Sequence, residues 1–156
     1  IAALNGPTAG AASGIALMCD FVIAKQSATI MVPFAKLGLI PDAGLTYLLP
    51  RLLGEAKAGA IMMLGESISA DDADKLGLIY DSVADDNFDE AINRLTEKLS
   101  RIPSSSIYSI RKAIAASRSN NIIDQINLEI DLQAEAVSSE EFKRIISSMT
   151  NSKSKQ

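Results

Sequence analysis

A single carboxylate sits inside an apolar run in the first third of the chain. Asp42, in IPDAGLTYLLPR (residues 40–51), follows Pro41 and precedes the small pair Ala43 and Gly44. Leu37, Leu39 and Ile40 come before it, and Leu45, Leu48 and Leu49 come after. Two roles suit an aspartate in this company. It can cap a helix that starts near Asp42 or Thr46, since Asp is among the best N-caps. It can also be a general acid/base, because apolar neighbours disfavour the charged form and make the carboxylate a better base. Local sequence leaves both roles open. The chain has no histidine and one cysteine, Cys19. His-assisted nucleophiles, the usual zinc sites and an internal disulfide are therefore excluded. Proton transfer falls to Asp, Glu, Lys, Tyr or the lone Cys. Cys19 reads as a small packed side chain, since nothing basic nearby would activate it. Tyr47, Tyr80 and Tyr108 read as core-edge residues, Met62-Met63 as core filling, and Arg111-Lys112 as a solvated helix face.

A second feature is backbone chemistry. NGPTAGAASG (residues 5–14) puts a turn of small residues between a strand and a helix. The first amides of a helix lack intrahelical partners and carry the positive end of its dipole. They can hold a phosphate or a developing oxyanion. A tight turn packed on other backbone accounts for the same pattern, and the pattern alone favours that plainer reading.

These residues need elements to hold them. The chain has 156 residues, 47% hydrophobic and 22% charged, enough for one domain with a sizeable core. A net charge of -4 argues against a nucleic-acid partner. No apolar run is long enough to span a bilayer, and the N-terminal residues lack the basic start of a signal peptide. One cysteine fits a reducing compartment. The chain opens on a strand-like run without a methionine, so part of a longer protein is expected. Strands are predicted over residues 1–5, 21–24, 29–32 and 79–84. Helices are predicted near 15–20, from Asp42 or Thr46 with a bend or break at Pro50, and over 56–64 closed by Gly65. Ser69 is the expected N-cap of the next helix, which Gly77 stops. Amphipathic helices follow from Asn87 to Ile102, through Ile107–Ile114 and over 122–137, with a last short one through Phe142 and Ile146.

Residues 1–44, IAALNGPTAGAASGIALMCDFVIAKQSATIMVPFAKLGLIPDAG, and 64–83, LGESISADDADKLGLIYDSV, together resemble the crotonase superfamily, the enoyl-CoA hydratases and isomerases. Pro103 and Lys112 fall at family-like places, and the similarity extends to about Phe142. The resemblance implies an α/β chain: an incomplete crotonase-like ββα spiral core over residues 1–86 and a helical trimerisation region over 87–150. A disordered tail is expected over 151–156. It implies an acyl-CoA thioester as substrate, with coenzyme A part of that substrate, no separate cofactor and no metal. A cytoplasmic homotrimer or hexamer is expected, without nucleic-acid or membrane partners.

In the family two backbone N–H groups stabilise a thioester enolate. One maps to Ala11, after Gly10; the other comes from a segment nearer the N-terminus that this chain does not carry. Ala9, Gly10, Gly14, Pro33, Phe34 and Leu37 are the implied substrate-binding residues, with Phe34 and Leu37 lining the acyl pocket. The two glutamates with which family hydratases add water match Gly14 and Phe34, neither of which can move a proton. The family turn I-P-G-A-G-G reads I-P-D-A-G-L here, with Leu45 in place of the second glycine. An Asp at that place, and KLGLIPDAG as a whole, resemble the isomerases of phenylacetate catabolism, whose Asp shuttles a proton along the acyl chain. The resemblance thus implies an isomerase with Asp42 as acid/base. The alternative is a non-catalytic fragment or assembly module of the same family.

Overall fold

The computed structural model of the chain describes residues 1–153, with side chains through Ser148. Two compact units divide inside one helix, between Leu95 and Thr96.

The first unit opens with β1 (Ala2–Leu4), β2 (Thr8–Ala9) and α1 (Ala11–Leu17). The pattern then repeats with β3 (Val22–Lys25) and β4 (Thr29–Met31), followed by a 3-10 turn (Pro33–Leu37), α2 (Leu45–Leu53) and α3 (Glu55–Leu64). β5 (Ser67–Ser69), α4 (Ala70–Lys75) and β6 (Asp81–Val83) complete it, and a 3-10 turn (Asp85–Asn87) leads into α5 (Phe88–Ser100). One sheet has the order β1-β3-β6, all parallel; the other has β2-β4-β5, with β2 and β4 parallel and β5 antiparallel. β1 to β4 alternate between the sheets, so the first two passes each add one strand to both; β5 then joins the second sheet and β6, after α4, the first. This winding is the expected spiral.

Register follows burial. Ala2, Ala3 and Leu4 pair with Val22, Ile23 and Ala24. The middle strand β3 is buried at Val22, Ile23 and Ala24, as a parallel strand covered on both faces should be. Val32, Leu45, Leu49 and Ala58 reach 0% exposure and join Leu4, Leu17 and Ile30 in one core. Ser69 caps α4 as expected, its hydroxyl oxygen accepting the Asp72 N–H at 3.1 Å.

Several elements depart from the sequence reading. α1 starts at Ala11 rather than near Ile15, because the small residues 11–14 are themselves helical. β2 and β5 span two and three residues, too short to show a hydrophobic period. Pro50 does not break α2, which runs on to Leu53. The carbonyl that loses its amide partner belongs to Thr46, which is exposed, so solvent can replace the bond.

The second unit carries the end of α5, then α6 (Ser104–Ala116), α7 (Ile122–Ser138) and α8 (Glu140–Lys153). Asn121 caps α7 by accepting the N–H groups of Ile123 and Asp124, both at 3.0 Å. α8 is longer than the short helix expected. The tail expected from residue 151 falls on the end of α8 and on residues 154–156, which lie outside the described residues. Among the described residues no helix is long and apolar enough to cross a membrane.

Candidate active site

The strand-to-helix turn is built first. β2 gives way to Gly10, whose φ of 62° lies in the left-handed region that favours glycine. The Gly10 N–H donates to the Met31 carbonyl at 3.0 Å, tying the turn to β4. Ser13, at 0% exposure, locks the same place from inside. Its hydroxyl lies 3.0 Å from the carbonyls of both Thr8 and Met31 and donates to one of them at a time. The first turn of α1 is therefore fixed to β2 and β4, with Ala11 exposed at its start. Among the described residues no hydrogen bond occupies the Ala11 amide. That amide is available to an acceptor.

Phe34 closes one side. It is half-buried in the 3-10 turn after β4, next to Pro33. A Cβ on Gly10 would stand 3.7 Å from the Phe34 ring. Phe34 thus forms an aromatic wall against the turn. Ala9 is exposed at the end of β2. Leu37, also expected in the acyl pocket, is 71% exposed.

The segment carrying Asp42 closes the other side. The residue that caps α2 is Gly44, with φ 76°, and no side chain caps this helix. Asp42 contributes its backbone carbonyl, which accepts the Leu45 N–H at 3.0 Å. The cap reading of its side chain is thereby corrected: glycine's left-handed conformation starts the helix instead. Among the described residues no hydrogen bond or ion pair engages the Asp42 carboxylate, which is exposed. The flanking leucines turn into the core or out to solvent and do not enclose it. Leu45, in place of the family's second glycine, is fully buried and anchors the turn.

This turn rests on α1. A Cβ at Gly14 would lie 2.4 Å from the Ala43 carbonyl oxygen and 2.9 Å from the Ala43 Cβ. Gly14 follows Ala11 by three residues on α1, about 4.5 Å along the helix axis and on the same side. Ala11 and Phe34 thus stand at the start of α1, while the Asp42 turn lies along it, Ala43 on Gly14 and Gly44 beside Met18. Sequence reasoning missed Ser13 and the seat of Ala43 on α1; it marked Leu45 only as a departure from the family's second glycine. Ser13 carried a faint signal as the one hydroxyl among the small residues of α1. Among the described residues no group of histidine, cysteine, aspartate or glutamate could hold a metal.

Together these features are an exposed amide and an aromatic wall at one helix start and an uncommitted carboxylate on a turn packed along the same helix, set in two interleaved sheets. The profile of the family described as enoyl-CoA hydratase/isomerase matches residues 1–155. The chain belongs to this enoyl-CoA hydratase/isomerase family. A probable enoyl-CoA hydratase of Rhodobacter capsulatus is 41% identical over 92% of the chain and 56% of its own length. The 1,2-epoxyphenylacetyl-CoA isomerase of Escherichia coli is 37% identical over the whole chain and 60% of its own length. The crystal structure of an enoyl-CoA hydratase/isomerase from Mycobacterium abscessus superposes with a TM-score of 0.90 at 27% identity, covering 96% of the chain and 58% of that protein. A Thermobifida fusca relative solved with acetoacetyl-CoA gives a TM-score of 0.81 at 27% identity, covering 85% of the chain and 52% of the relative. The chain spans a little over half the length of the family members it matches. The crotonase-like spiral and following helices are those of the enoyl-CoA hydratase/isomerase fold.

Proposed function

We propose that the protein moves a double bond along an acyl-CoA thioester, with Asp42 as the only proton carrier. The observation that carries this reading is the Asp42 carboxylate: it caps no helix, has no hydrogen-bond or ion-pair partner among the described residues, and stands on the turn that packs against α1. The two positions that match the hydratase glutamates hold Gly14 and Phe34. The similarity to an epoxyphenylacetyl-CoA isomerase supports the same choice. The similarity to a probable hydratase favours water addition, but that chemistry wants carboxylates at 14 and 34.

In the proposed step the thioester oxygen of a 3-enoyl chain accepts the Ala11 N–H. Asp42 takes a proton from the carbon next to the thioester. The C–H electron pair moves into a conjugated enolate whose charge sits on the held oxygen. The protonated Asp42 then returns the proton two carbons further along, giving the 2-enoyl thioester. One carboxylate suffices because both carbons can lie within its reach. Binding of the acyl chain displaces water from the exposed carboxylate, which strengthens the charge interactions within the site. Pro33 and Phe34 would border that chain, with Ala9 and Gly10 along the thioester. Coenzyme A enters as part of the substrate, and the step uses no other cofactor. Its phosphates keep such a substrate inside cells, so a cytoplasmic setting belongs to this reading. So does self-assembly into trimers or hexamers, for which the apolar helices after residue 96 provide surface.

The test is Asp42→Asn in the complete protein, assayed by conversion of a 3-enoyl-CoA into its conjugated isomer. The expected loss is roughly 10²–10⁴-fold in turnover, the usual worth of a positioned acid/base. Near-normal migration by the Asn variant would refute the role of Asp42. Absence of both migration and acyl-CoA binding in the wild-type protein would favour the non-catalytic assembly module.

A further inference from the structure

The contact between Gly14 and Ala43 does more than pack two elements. We infer that Gly14 is a positioning residue for Asp42: its missing Cβ is the space that lets the Ala43 turn sit on α1 and hold the carboxylate there. The inference rests on the reading of Asp42 as acid/base. It concerns what fixes that side chain rather than which side chain reacts.

Three features of the chain require each other here. First, Gly14 is buried, and any Cβ on it would fall 2.4 Å from the Ala43 oxygen and 3.2 Å from the Ala43 carbonyl carbon. These are backbone atoms, so they yield only if the turn moves. Second, Ala43 has a φ of 48°, the only positive value outside glycine among the described residues. A residue with a Cβ is held in that region only when its surroundings over-determine it. Third, the turn is pinned on its far side by Leu45, at 0% exposure, and by the Leu45 N–H donating to the Asp42 carbonyl. Among the described residues no hydrogen bond or ion pair aims the Asp42 side chain. Its placement comes entirely from the backbone of 42–45, clamped between α1 and the core.

A second consequence concerns the hydratase reading. The position that would carry a hydratase glutamate is filled by the Ala43 carbonyl. A side chain at 14 would force this seat of the Asp42 turn to shift. Putting a carboxylate back at 14 would displace Asp42 rather than add to it.

The test is a double-mutant cycle in the complete protein, using Gly14→Ala and Asp42→Asn. Migration is followed with trans-3-hexenoyl-CoA, and binding with butyryl-CoA, which has no double bond to move. A 1 Å misplacement of a reacting group can lower turnover by about 10²-fold, and Gly14→Ala should lower kcat by that order. Binding of butyryl-CoA, which needs no proton transfer, should fall far less than kcat does. In the Asn background Gly14→Ala should change kcat by no more than about twofold, because the group it misplaces is already inert. An equal loss in both backgrounds, or a loss of butyryl-CoA binding, would mean that Gly14 only supports the fold and would overturn the inference. Normal migration by Asp42→Asn alone would instead remove the reading on which the inference rests. If Gly14→Ala does not fold by circular dichroism, Ala43→Gly takes its place in the cycle. Glycine accepts φ 48° and removes the methyl that seats on Gly14, so folding survives while the turn loosens. It should lower kcat about tenfold with Asp42 present and leave it unchanged with Asn, and an unchanged kcat in the Asp42 protein would overturn the inference.

Discussion

At the scale of single residues, the site is held by a few side chains that do no chemistry. Ser13 is the plainest. It is completely buried, and its one proton serves two carbonyls from different strands. Ser13→Ala deletes that link and takes a donor from the half-buried carbonyls of Thr8 and Met31. Loss of such a bond costs about 1–2 kcal/mol. Urea unfolding of the complete protein should show the midpoint falling with the slope unchanged, and an unchanged midpoint would contradict the structural role given to Ser13. Asp42 teaches the opposite lesson. The pair of readings left open by its sequence context is narrowed by a backbone angle, because Gly44 at φ 76° caps α2 and leaves the aspartate free. Sequence could show that Asp42 was unusual. It could not show the Gly14–Ala43 contact, which joins positions 29 apart through tertiary packing alone.

Elements that announce themselves by period or by cap were legible: β1, β3, β4, the Ser69-capped α4, and α3 closed by Gly65. The pieces that touch the site were not. β2 has two residues, the 3-10 turn at Pro33–Leu37 has five, and neither is long enough for a pattern to accumulate. The start of α1 was hidden because Ala, Ser and Gly carry no hydrophobic period. One link between elements also makes a pH prediction. The turn joining β3 to β4 is fastened beyond β6, where Asp85 accepts the Ser27 hydroxyl at 2.5 Å and the Ser27 N–H at 3.1 Å. The Ser27 side-chain bond, then its backbone bond, hold the Asp85 carboxyl below its ordinary value, with a smaller contribution from Lys25. A carboxylate lowered in the folded state adds stability above its unfolded pKa, and that contribution is lost as pH falls through the folded value. Ser27→Ala removes the leading cause. Asp85 should then titrate at higher pH in a side-chain NMR titration, and the protein should lose less stability on acidification. An unmoved Asp85 would contradict the link.

At the scale of the whole molecule, the helices after residue 96 bury little of what they carry. Ile110, Ile114, Ile122, Ile123 and Ile130 are each more than half exposed, and among the described residues there Leu132 is the buried hydrophobic one. Apolar surface of this extent marks an interaction face. Light scattering at micromolar concentration should therefore give a multiple of the single-chain mass, with a trimer or hexamer expected, whereas a clean monomer would contradict self-assembly. The central claim is about chemistry: one carboxylate, no second one, and so migration without hydration. It is tested most directly by giving the complete wild-type protein crotonyl-CoA in one cuvette and trans-3-hexenoyl-CoA in the other, and following the conjugated enoyl-thioester absorbance in both. The account predicts a steady rise with trans-3-hexenoyl-CoA and no fall with crotonyl-CoA. A robust fall with crotonyl-CoA would contradict it, because neither Gly14 nor Phe34 can activate water.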